Sequence, residues 1–229
     1  MRAAAFYVAL CCLAAVGASQ TAASAQDTAP VDQIRFDFEF AALQPPHWGF
    51  EIGSDGHGRY FKQGLPMDAN PSGDESQPIE VSTATMEALL AGQTALAGNK
   101  DCNSKVKNVA QTGKKKLSYG HDAVWNTCQF NYSDDAGVMR ATAAFQAMAE
   151  TLQFGERLKS EHRFDKLGLD AELDSLIDEA KGSRAMEIQN IAPVLQSLIA
   201  DDTLMDRVRS KSQRLLDQSS GAAPVERPR

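Results

Sequence analysis

The stretch NTCQFNYSDD (Asn126 to Asp135), continued by AGVMRATAAF (136–145), holds the change of period that decides the fold. Up to Tyr132 the residues alternate, so Cys128, Phe130 and Tyr132 share one face of a strand expected over 127–132. Ser133, Asp134 and Asp135 then offer an N-cap, with carboxylates at the positive end of a following helix. From Ala136 the apolar period becomes 3.6. Val138, Ala141, Phe145, Met148 and Leu152 form one helical stripe.

Upstream, alternation dominates. Ile34, Phe36, Phe38 and Phe40 face one way, and Arg35, Asp37 and Glu39 the other, as in a half-buried strand. Trp48–Ile52 and His57–Phe61 flank Asp55-Gly56, a pair suited to a hairpin turn. Residues 64–78 are rich in Pro, Gly, Asp and Ser and read as a mobile loop. Pro78–Val81 reads as a short strand. Ser82 caps a helix bearing Met86, Leu89, Leu90, Gln93 and Leu96. Lys116–Tyr119 pairs with 127–132 around Gly120-His-Asp-Ala.

Downstream, three more helical stripes follow. One starts after Gly168 and carries Leu169, Leu173, Leu176, Ile177 and Ala180. A second runs from Ile188 to Leu198, with Pro193 kinking or restarting it. The third carries Leu204, Met205, Val208 and Leu215, opened by Thr203 with Asp206 as a capping box. Strands first and helices after predict an α+β fold: a small antiparallel sheet with one helix, then a helical, bundle-like second half. The expected divisions are a β-rich region over 34–133, a helical region over 134–218 and a disordered tail over 219–229.

The N-terminus sets an expected compartment. Arg2 precedes an uncharged apolar run, Ala3 to Val16, and Ala23-Ser24-Ala25 gives a small-x-small cleavage pattern. Residues 1–25 therefore read as a signal peptide and 26–33 as a flexible lead-in. The expected location is periplasmic or secreted. Loss of Arg2 with the leader leaves 22 basic against 30 acidic side chains. That balance argues against a nucleic-acid partner. No later apolar run approaches membrane-span length. Cys11 and Cys12 leave with the leader, and Cys102 and Cys128 remain as an even pair in an oxidising compartment. A disulfide between them closes a loop of about 26 residues, worth about 3.5 kcal/mol in the chain-entropy model.

Chemistry is sparse. His47, His57, His121 and His162 show no HxH, HxxxH or HExxH spacing, so no metal and no cofactor is expected. His47, His57 and His121 with neighbouring acids leave an envelope hydrolase as the alternative function. Ser104-x-x-Lys107 matches one motif of penicillin-recognising enzymes, but the companion motifs are absent. The one-sided feature is a basic island from Lys100 to Lys116: Lys100, Lys105, Lys107, Lys114, Lys115 and Lys116, opposed only by Asp101. It suits contact with an unidentified envelope protein or an anionic envelope component. Equally, lysines keep an edge strand soluble and unpaired. The leading expectation is a non-enzymatic binding or structural module of the cell envelope.

The hairpin FEIGSDGHGRY (50–60), with GKKKLSYG, CQFNYSDD and RFDKLGLDAELDSLI further on, resembles a family of exported bacterial proteins of unknown function. In that family an Asp-Gly-x-Gly-x-Tyr hairpin domain precedes a helical region. The likeness spans roughly residues 34–217. It implies export and this order of elements, and it carries no activity or catalytic residue.

Overall fold

The computed structural model describes residues 31–43, 45–62, 76–98, 101–106 and 109–219. The expected signal peptide, most of the 64–78 loop, Lys100, Lys107 and the tail beyond Ser219 lie outside the described residues.

Six strands form one antiparallel sheet: β1 (Gln33–Glu39), β2 (His47–Gly53), β3 (His57–Lys62), β4 (Ser76–Glu80), β5 (Lys114–His121) and β6 (Val124–Phe130). Their spatial order is β4-β3-β2-β1-β5-β6. The first strand in sequence is thus central, paired with β2 on one side and β5 on the other. The register aligns Tyr60, Phe50, Phe36, Leu117 and Cys128 in one row across five strands. Because partners in a ladder share a face, the alternation read from the sequence becomes one apolar surface. The opposite face carries the aligned row Arg59, Glu51, Arg35, Ser118 and Thr127. There Arg59 donates twice to Glu51 at 2.8 and 2.6 Å, and the Arg35 guanidinium lies 4.2 Å over Trp125. The β2–β3 turn needs Gly56 at φ +80°, where a side chain would be strained.

Two short helices, α1 (Thr83–Leu90) and α2 (Gln93–Gly98), stand where one was expected. The Ser82 hydroxyl caps α1 by accepting from the Thr85 amide. The break falls at Gly92, where a Cβ would meet the Tyr119 hydroxyl at 2.8 Å. That hydroxyl donates to the Leu89 carbonyl at 2.6 Å, at the very end of α1.

α3 (Ala136–Phe164) is the spine of the molecule, 29 residues and about 44 Å long. Asp135 is its N-cap, accepting from the Val138 amide at 2.8 Å. The stripe expected from the sequence faces the sheet: Phe145 stacks on Phe36 at 4.6 Å and approaches Phe50 at 5.5 Å. Ala144, Ala147, Thr151, Phe154 and Leu158 are buried as well. Such a helix is covered on more than one side, which blurs its amphipathic pattern. Its second flank meets α4 (Leu169–Lys181), a 3₁₀ turn (Ile188–Ile191) and α5 (Ala192–Ala200). Thr151 donates to the Met186 carbonyl at 2.6 Å and holds this layer in place. α6 (Asp206–Ser219) packs on α4 and α5.

Several local expectations change. Pro193 restarts the helix, sitting in the first turn of α5 where a missing N–H costs nothing. Thr203 does not cap α6: its amide and hydroxyl both bond Asp201, in a turn before the helix begins. Tyr132 lies beyond β6 and is exposed, while Cys128 and Phe130 are buried as read. β4 begins at Ser76, two residues before the expected strand. The fold class is α+β, and a single buried cluster runs from Ile34 to Leu215 across both regions.

Candidate functional site

Cys102 and Cys128 form a disulfide, with Cα atoms 6.0 Å apart. It ties the segment after α2 to β6. Around it, the Ser104 amide donates to the Tyr132 carbonyl at 2.7 Å, and the Ser104 hydroxyl to Asp134 at 2.9 Å. Ser104 thus serves the loop and shows no nucleophile's environment.

The lysine island comes apart. β5 is paired on both sides, so its lysines do not guard an edge; the edge strands are β4 and β6. Lys105 and Lys114 are exposed. Lys116 points to the charged face of the sheet, opposite Asp37. Lys115 points inward and is 4% exposed. Its ammonium donates to the carbonyls of Thr112, Gly113 and Asn131 at 3.1, 3.3 and 2.8 Å, and to the Thr112 hydroxyl at 3.1 Å. Burial holds its pKa below the ordinary lysine range. A buried, satisfied ammonium cannot meet an anionic surface.

The histidines do not converge. His47 bonds Asp37 at 2.6 Å, and this bond raises its pKa above the usual value. His121 bonds Asp32 at 2.9 Å at the other end of β1, about 20 Å away along the strand. His57 lies 4.0 Å from Glu80 on the β3–β4 side, three strand spacings or about 14 Å from β5. Asp32, His121 and Asp122 do offer three ligand atoms within 4.8 Å of one another. They are largely exposed, and the two ring nitrogens of His121 face different carboxylates. Groups of this kind are common without an ion.

The fourth histidine lies elsewhere. A cleft of about 550 Å³ opens between the β3–β4 end of the sheet, α3, the 3₁₀ turn and α5. Its volume falls in the range of small-molecule sites, about 300–1,000 Å³. The walls are mostly apolar, formed by the ring of Tyr60, Pro78, Leu152, Ile191, Pro193 and Val194, with Ser76, Gln77 and Asn190 beside them; the Gln77 amide donates to the Asn190 carbonyl at 3.0 Å. Gly155 lets α3 approach the 3₁₀ turn, since a Cβ there would meet Ile191 at 2.5 Å. The rim carries Lys62, Glu156, Lys159, His162 and Ser197. Lys62 faces Glu156 at 3.7 Å, and His162 bonds Asp201 at 2.9 Å. Lys166 and Thr203 also bond Asp201 and, with His162, hold its carboxyl well below the usual carboxylate range. The Ser197 hydroxyl donates to the Val194 carbonyl at 2.7 Å, as helix-surface serines do. The Tyr60 hydroxyl is shut from water and lies near Gln153 without reaching hydrogen-bond geometry; burial pushes its pKa up.

Sequence reading missed this site. Leu152 and Val194 look like ordinary core residues, and residues 60, 155 and 194 meet only through tertiary packing. The arrangement defines a two-sided α+β scaffold with a lateral apolar cleft. No protein-family model matches the chain, and no curated protein matches it at a significant level.

Proposed function

We propose that this chain is a non-catalytic binding module of the bacterial envelope, and that the lateral cleft is its binding site. The supporting observation is the composition of the cleft: largely apolar walls, with a rim on which Lys62 is paired with Glu156 and His162 with Asp201. Export rests on the leader-like N-terminus and on the family resemblance. A hydrolase built on His47, His57 or His121 finds little support, because the three rings lie in separate places, each beside a different carboxylate.

Nile red, a neutral dye that brightens in apolar surroundings, tests the reading. The chain from Gln26 onward should bind it saturably at one site. Ser197→Trp, on an exposed position of α5 at the cleft, should abolish that binding with the helical circular dichroism unchanged. Unsaturable dye uptake, or uptake indifferent to Ser197→Trp, overturns the assignment. So does ester hydrolysis above the water rate that disappears in His162→Gln.

A further inference from the structure

The cleft is charged at one end only. Along α3, Leu152, Gly155, Lys159 and His162 recur at three- and four-residue spacing and present one face. That face changes from apolar to basic over about 10 Å, from Leu152 to Lys159. Of the rim cations, Lys62 is met by Glu156 and His162 by Asp201. Lys159 is exposed and has no ion pair among the described residues. The cleft therefore carries one unmatched positive charge at the His162 end, beyond walls formed by Leu152, Ile191 and Val194.

We infer that the ligand is a monoanionic amphiphile: an apolar body about 10 Å long, seated against Leu152 and Val194, with its anionic group at Lys159. This rests on the assignment of the cleft as the binding site and adds the charge and orientation of what it holds. A carboxylate or a phosphate ester would satisfy Lys159 alike, because an ammonium is a compact charge without the planar fork that selects one oxyanion shape. Free carboxylic acids and anionic single-chain phospholipids are the two sources of such chemistry.

Calorimetric titration at low salt, below micelle concentrations, separates the outcomes. The probes are decanoate, lysophosphatidylglycerol, decanol and decyltrimethylammonium. At least one anion should bind at one site, fivefold or more tighter than decanol and tighter still than the cation. The anion that binds names the source. Lys159→Glu should reverse the order of anion and cation, and added salt should weaken only the anion, because exposed charges are screened over about 8 Å at physiological ionic strength. Ser197→Trp should abolish every heat. Equal binding of all probes, still lost in Ser197→Trp, overturns the charge inference and leaves the cleft assignment standing. Heats that survive Ser197→Trp overturn both.

Discussion

Lys115 shows how much one residue's parity matters. Three consecutive lysines on a strand cannot all face solvent, since successive side chains point to opposite faces. Lys115 shares the parity of Leu117 and Tyr119, so it belongs inside. A strand read as starting at Lys116 hides this; two more residues of alternation reveal it. Replacing Lys115 by Gln takes the ammonium donor from the carbonyls of Thr112 and Gly113, while that of Asn131 keeps the Thr112 hydroxyl, and should cost about 1–3 kcal/mol. Lys114→Gln, one residue away and exposed, should stay within about 0.5 kcal/mol. Urea denaturation of the two variants checks the contrast; equal midpoints would refute the buried placement. The Cys102–Cys128 pairing, in comparison, was legible outright, because only these two cysteines lie outside the leader-like stretch that carries Cys11 and Cys12.

At the scale of elements, β4 is the piece the sequence describes least. It emerges from an acidic, Pro- and Gly-rich stretch, and its outer edge is held by a side chain 110 residues away. Asn190 accepts from the Glu80 amide at 2.8 Å and donates to the Glu80 carbonyl at 2.9 Å. One amide group thus imitates the next strand of the ladder and caps the sheet's edge. Glu187, at φ +60°, reinforces it by accepting from the Ser82 amide and hydroxyl. Asn190→Ala should cost about 1 kcal/mol, modest because the bonds are exposed. It should also remove the exchange protection of the Glu80 amide, which hydrogen exchange reads directly. Unchanged protection would mean that the clasp is not formed in solution. Contacts of this kind leave no periodic trace. The stripes of α3 and α4 were legible because burial repeats along them; the full length of α3 was not, because its last third turns polar.

At the scale of the whole molecule, the two regions expected from composition share one core. Phe36 and Phe50 lie against Phe145, and Leu89 and Tyr119 lie beside the start of α3. A fragment ending at Asp135 would leave the sheet's apolar face bare. It should therefore lack cooperative thermal unfolding and the near-ultraviolet signal of packed aromatic rings, where the full chain shows both. Cooperative unfolding of that fragment would restore the picture of two independent domains. The α+β class was legible from the change of period at Ala136. The cleft was not, because its walls come from β3, β4, α3, the 3₁₀ turn and α5.

The central position of β1 has a consequence in time. A chain emerging residue by residue presents β1 first, but its second neighbour, β5, begins 81 positions after β1 does. At about 5–20 residues per second, several seconds pass before that flank is paired. Throughout that interval Ile34, Phe36 and Phe38 belong to an open-sided ribbon, with Phe145 not yet present to cover them. The nascent chain is thus most adhesive in its middle age, and anything that shepherds it must hold it from β1 until α3 has arrived.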